Sequence, residues 1–245
     1  MKQFTDEELK KLDEAEDYYF DALETNDLDK QDELLEKCLA LNPDHLDAKI
    51  LLIINDYPPY FAVEKLQELE RAEKRKLKKE NIYEPGRMYG IFETRPYMRC
   101  LLHIAQSACD AGMYKIALKY FELILKLNPN DNMGVRYVIP GLYLYYDKRK
   151  SLEKLIDFYQ EVATEMEIAL AFMWIKEGDF ESGINYLLDI YDANDFYKEL
   201  IEKMVNEDLD LNADETNFIR TFGMVFASNP IYEHYLTIPY FLKQK

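Results

Sequence analysis

Glycine and proline are scarce, at 8 and 9 of 245 residues. Both lie below the roughly 7% and 5% of average usage, which argues against folds built on many tight turns or on phosphate-cradling loops. Cysteine is scarcer still, and Cys38, Cys100 and Cys109 make no paired framework. Apolar runs such as 169–175 fall well short of the ~18 residues that span a bilayer. The opening Met1-Lys2-Gln3-Phe4-Thr5-Asp6-Glu7-Glu8 has no apolar segment behind its lysine. Together these absences lead to the expectation of a soluble, cytoplasmic protein with reduced thiols and no membrane segment. Positive charge is short as well, with 30 basic against 47 acidic side chains and a net charge of −17.

Leu, Glu and Lys are abundant, which is helix-forming composition. The hydrophobic fraction of 48% suffices for a sizeable core, so the acidity is not that of a disordered tail. Charge is unevenly spread: residues 1–47 carry net −11, 48–152 net +6, 153–215 net −14 and 216–245 net +2. A positive middle lies between two acidic flanks.

The clearest internal unit runs from Met98 to Asp131. It reads as two helices joined at Asp110-Ala111-Gly112-Met113 and closed by Leu127-Asn128-Pro129. Counted from Met98 in a 34-residue unit, Ala105 stands at position 8, Gly112 at 15, Tyr114 at 17, Ala117 at 20, Phe121 at 24 and Pro129 at 32. This is the tetratricopeptide (TPR) spacing. Small Ala105 and Ala117 let paired helices approach, Tyr114 and Phe121 fill the space between units, and Pro129 stops the second helix because it has no N–H to donate. Cys38-Leu39-Ala40-Leu41-Asn42-Pro43 repeats the ending, with Ala15, Tyr18, Ala22 and Leu35 on the packed face of a first unit. Gly178, Phe180, Gly183, Leu187 and Ile190 repeat the later spacing. Gly112 and Gly178 are 66 residues apart, so one further unit fits at about 132–164, with its turn near Asp147-Lys148. Between Asn26 and Gly112 lie one unit and an insertion near 64–92, read as an overlong helix from Phe61 to Lys79 followed by the loop Tyr83-Glu84-Pro85-Gly86.

The run Glu93-Thr94-Arg95-Pro96-Tyr97-Met98-Arg99, followed by Asn128-Pro129-Asn130-Asp131-Asn132-Met133-Gly134-Val135-Arg136-Tyr137, resembles a bacterial family of TPR proteins. That family is distantly similar to the eukaryotic suppressor-of-tumorigenicity-seven proteins. Members often carry Trp where this chain has Phe92. The resemblance covers most of the chain, implies a solenoid of helix pairs, and brings no catalytic residue with it.

The expected architecture is therefore all-α: a right-handed TPR-like α-solenoid of antiparallel helix pairs, with about four repeats over 1–193 and C-terminal capping helices over 194–245, in one continuous domain. Positions 2, 5, 9 and 12 of each unit face the inner wall. In the strong unit these are Arg99, Leu102, Gln106 and Cys109; Asn132 and Arg136 follow, with Tyr143 two turns on. Arg95, Arg99 and Arg136 are expected to supply charge to an acidic or carboxylate-bearing protein segment, since Arg forks bind carboxylates bidentately. Gln106 and Asn132 would hold the guest's backbone, and Tyr97, Tyr137 and Tyr143 its apolar parts. The competing reading pairs these arginines with Glu93 and Asp131 as structural bridges.

The densest positive run is Arg71-Ala72-Glu73-Lys74-Arg75-Lys76-Leu77-Lys78-Lys79. Net acidity and the lack of interleaved aromatics weigh against nucleic acid there, and cations at a helix C-terminus are the simpler account. Docking on an acidic flank of a second copy, giving a homo-oligomer, is a further reading. Tyrosine is abundant, at 20 residues, with aromatic clusters at 57–61, 143–146 and 232–240, and most are expected to serve inter-helix packing.

Chemistry has little to work with. Cys100 and His103 share a helix face, but two ligands do not make a metal site, and Cys109 lies on the opposite face. His45 opens a helix and His234 has no nucleophile beside it. No Walker loop, dinucleotide turn, His-Glu-x-x-His or Gly-x-Ser-x-Gly is present. The expectation is a non-enzymatic scaffold with no catalytic residue, metal or cofactor.

Overall fold

The computed structural model describes residues 5–160 and 163–205. The capping segment beyond 205, the 232–240 aromatics and His234 lie outside the described residues. Among the described residues there are eleven α-helices and no strand, so the chain is all-α. None of these helices is long and apolar enough to cross a membrane. The chain divides into two compact units, Met1–Asn132 and Met133–Lys245.

The first unit holds α1 (Asp6–Glu24), α2 (Leu28–Leu41), α3 (Leu46–Asp56), α4 (Pro59–Lys79), α5 (Arg95–Asp110) and α6 (Tyr114–Leu127), with a short 3-10 turn at Phe92–Thr94. Local chemistry sets the ends. Thr5 and Glu8 form a reciprocal cap on α1: the Glu8 N–H donates to Thr5 Oγ1 at 3.3 Å and the Thr5 N–H donates to Glu8 Oε2 at 2.8 Å. Asp27 caps α2 through the Lys30 N–H at 3.3 Å. On α3 the cap is an imidazole, His45 Nδ1 accepting from the Ala48 N–H at 3.1 Å. α5 begins at Arg95, three residues before the start of the counted unit; Pro96 fits its first turn, where no N–H is needed. The helix ends at Ala111-Gly112-Met113, with Gly112 at φ +69°, the Gly112 N–H on Cys109 O at 2.9 Å and the Met113 N–H on Ala108 O at 2.7 Å. That is a Schellman ending, which requires a left-handed residue at this point.

Within this unit α1 packs on α2, α2 on α3, α3 on α4 and α5, α4 on α5, and α5 on α6. Ala15, Ala22, Leu35, Cys38 and Ala48 form one core cluster. Tyr97, Met98, Leu101 and Phe121 are fully buried farther along. Each such large side chain contributes ~1.5–3 kcal/mol by leaving water. The expected overlong helix is α4, 21 residues in length. The segment after it is pinned rather than loose: the Gly86 and Met88 N–H groups both donate to Leu127 O, at 3.1 and 3.2 Å.

The second unit holds α7 (Val135–Tyr145), α8 (Arg149–Tyr159), α9 (Thr164–Lys176), α10 (Phe180–Ala193) and α11 (Asp195–Val205). Here α7 packs on α8 and α9, α8 on α9, α9 on α10, and α10 on α11. The turn expected near Asp147-Lys148 links α7 to α8. Asp147 takes φ +54° there, with the Lys148 N–H on Tyr143 O at 2.8 Å, the same ending as at Gly112. Gly178 repeats it between α9 and α10 at φ +94°. Three helices share another ending: α2, α6 and α10 each run 14 residues and close on Asn42, Asn128 and Asn194, whose N–H groups donate four residues back at 2.8, 2.8 and 3.0 Å, whereas α8 runs 11 residues and closes on Gln160 at φ +50°.

Candidate functional site

The expected site residues fall on both sides of the division at 132/133, and each unit is described by itself. On α5, Arg95, Arg99 and Gln106 lie within about 40° of one another around the helix axis. Gln106 is exposed and Arg95 and Arg99 are half-buried. Arg99 is bidentate on Asp47 of α3, Nε to Oδ1 at 2.7 Å and Nη2 to Oδ2 at 2.5 Å. This hydrogen-bonded carboxylate holds the guanidinium above its ordinary pKa. Asp47 is nearly enclosed, with a side chain 10% exposed, whereas that of Arg99 is 41% exposed and keeps donors facing solvent.

The neighbours extend this pair into a polar line across α1, α3 and α5. Burial pushes the Tyr19 hydroxyl up to about 12, and the Asp47 carboxylate adds to the shift. The Tyr19 ring lies 4.7 Å from that of His45, whose Nε2 is 3.3 Å from Glu16 Oε1. Burial pushes the His103 imidazole below its ordinary value; Asp47 opposes that shift and Arg99 reinforces it. Arg95 donates from Nε to Tyr89 O at 3.1 Å, and its guanidinium lies 5.4 Å from the ring centres of both Tyr89 and Phe92. Phe92 is 76% exposed, so an aromatic face and a cation are presented together.

Two tyrosines do not line an accessible surface. Tyr97 is fully buried and donates from its hydroxyl to Glu70 Oε1 at 2.8 Å, tying α5 to α4. That bond satisfies a carboxylate only 5% exposed, whose other neighbour is Lys74 Nζ at 3.5 Å. Tyr143 is also buried, at 6% exposure, with Lys148 Nζ 5.9 Å from its ring. Both side chains go to packing because they face a neighbouring helix. Asn132 is exposed at the end of the first unit. In the second unit Arg136 donates from Nη2 to the Tyr137 hydroxyl at 2.5 Å, and its guanidinium lies 4.5 Å from the Tyr137 ring and 5.1 Å from the Tyr159 ring.

Asp47 is the residue that spacing arguments passed over. Counting from Pro43 as from Pro129 puts Asp47 at position 2 of its unit, the position Arg99 holds in its own. The inner-wall rule applied to both units marks the two residues as equivalent positions, but not as partners. The pairing reading thus holds for Arg99, through Asp47 rather than Glu93. Cys38, Cys100 and Cys109 are all buried free thiols; burial pushes Cys38 up to about 11, and Cys100 Sγ donates to Leu66 O at 3.8 Å. Among the described residues no group of three His, Cys, Asp or Glu side chains is placed to hold a metal ion.

In comparison with known proteins, no protein-family model matches the chain and no curated protein matches it.

Proposed function

We propose that the chain is a non-catalytic cytoplasmic scaffold, built as a TPR-like solenoid of antiparallel helix pairs, that holds an acidic or carboxylate-bearing protein segment. Support for the repeat comes from the three matching Schellman endings at Gly112, Asp147 and Gly178 and the three matching Asn endings at 42, 128 and 194. The observation that carries the binding reading is the half-exposed Arg99 fork. Asp47 fixes its orientation on one side and leaves donors open on the other, beside Arg95 and Gln106 on the same stripe. A guanidinium already oriented loses less entropy on meeting a guest than a free one. A guest carboxylate approaches Asp47 as well, and that like-charge contact lowers the affinity the Arg99 fork would otherwise give.

A library of acidic peptides with free or amidated C-termini, read by fluorescence anisotropy, tests this. Arg99→Gln is expected to weaken carboxylate-bearing binders about tenfold, the loss of one charge-assisted contact of ~1.4 kcal/mol, with an unchanged circular dichroism spectrum. Asp47→Asn, which keeps the shape and drops the charge, is expected to tighten them. Binders indifferent both to amidation and to Arg99→Gln would overturn the assignment.

A further inference from the structure

We infer that α1 of one copy of this chain docks side by side, in parallel, on α4 of a second copy through matched stripes of exposed charge. The cationic stripe is the outer face of α4. Arg71, Arg75 and Lys79 are exposed there, preceded by exposed Glu68. The complementary stripe is on α1, where Asp13, Asp17 and Asp21 are exposed, preceded by exposed Lys10. Both stripes follow the spacing three, four, four, which keeps them on one helix face. A single offset of 58 positions sets Lys10 against Glu68, Asp13 against Arg71, Asp17 against Arg75 and Asp21 against Lys79. The same offset sets Phe20, 56% exposed, against Lys78. The antiparallel alignment that keeps the three Asp–cation pairs sets Glu24 against Glu68, a like-charge contact, so the order of charges selects the parallel one.

Glu68 meets Lys65 Nζ of its own helix at 3.7 Å, an exposed pair that the partner's Lys10 would have to displace or share. Among the described residues Lys10, Asp13, Asp17, Asp21, Arg71, Arg75 and Lys79 form no ion pair, and the other ion pairs of these helices fall elsewhere, Glu7–Lys11 and Glu16–His45 on α1 and Glu70–Lys74 and Glu73–Lys76 on α4. The last turn of α1 ends on Asp21 and Glu24 with no basic residue, against the negative end of its own dipole, and an arriving cation relieves that repulsion. The partner is a second copy because the same chain carries both halves in matching order. Exposed ion pairs are individually weak, so the association is of moderate affinity and falls with salt.

Sedimentation equilibrium of the full chain at 10–200 μM tests the inference. The expected result is a concentration-dependent mass above the monomer at 50 mM NaCl that returns to the monomer at 500 mM. Asp17→Lys with Asp21→Lys should give a monomer at both salts, although it reduces the net negative charge and so reduces general repulsion. Arg75→Glu with Lys79→Glu should do the same, and an equimolar mixture of the two variants should associate again. Lys10→Glu should weaken association and Glu68→Lys in the same chain restore it, which reads the parallel register. All substitutions are at exposed helical positions, and circular dichroism checks folding. A monomeric wild-type chain at 50 mM NaCl, association that survives Asp17→Lys with Asp21→Lys, or a mixture that stays monomeric would overturn the inference. So would salt-sensitive binding of generic single-stranded RNA that Arg75→Glu with Lys79→Glu abolishes while the mass is unchanged, since the stripe would then belong to nucleic acid.

Discussion

At the scale of single residues, three titratable groups are held away from their ordinary behaviour for one main reason, removal from water. Tyr19, Cys38 and His103 all shift in the direction that disfavours the charged form. His103 is the one whose titration reaches accessible pH. Its folded value lies below the unfolded 6.5, so near neutrality both states are uncharged and the stabilising contribution is complete. As pH falls through 6.5 the unfolded chain takes the proton first, and stability is lost until the folded value is passed. Wild-type protein is therefore expected to lose urea midpoint between pH 7.5 and 5.5, and His103→Gln to lose less over the same interval. Parallel slopes would place the pH dependence elsewhere in the chain.

At the scale of helices, two glycines respond to the same substitution for different reasons. Gly112 sits at φ +69° with nothing within 4 Å of an added Cβ, so Gly112→Ala meets only backbone strain, ~1–2 kcal/mol. Gly183 is helical, but an added Cβ would stand 2.5 Å from Ile175 Cγ1 and 2.7 Å from the Ala171 carbonyl oxygen, where α10 crosses α9. Gly183→Ala must force the helices apart and is expected to cost more, ~3 kcal/mol at the upper end of overpacking. Urea titration of both variants orders them; a Gly183→Ala as mild as Gly112→Ala would mean that the crossing is loose. Gly112, Pro129, the Asn endings at 42 and 128 and the length of α4 were legible in the sequence because each acts on its own neighbours along the chain; the ending at Asn194, with no proline after it, was not. The burial of Tyr97 was not, because its partner Glu70 is 27 residues away on another helix. Nor was the Arg99–Asp47 fork, whose members are 52 residues apart. Spacing within a helix says which face a residue occupies, but not what the next helix presents to it.

At the scale of the whole molecule, 47 acidic and 30 basic side chains place salt in opposition to itself. On α1 the successive acids Asp13, Asp17 and Asp21 repel at i,i+4, ~0.2–0.5 kcal/mol per pair. Exposed ion pairs such as Lys11–Glu7 at 2.9 Å and Lys37–Glu33 at 2.6 Å return little, with medians of ~0–1 kcal/mol. Repulsion therefore outweighs pairing at the surface, and screening relieves more than it removes. Raising NaCl from 20 to 300 mM at about 0.5 μM protein, well below the concentrations at which copies are expected to associate, is expected to raise the melting temperature by roughly 2–8 °C, the equivalent of ~1–2 kcal/mol for a chain of this size. A fall would mean that the ion pairs, including those of Arg149 with Glu153 and Glu177, hold the fold against its own charge. The same salt separates docked copies, because there the opposed stripes attract. Firmer folding together with weaker association over one salt series distinguishes charge between copies from charge within one, since general loosening of the structure would move both readings the same way.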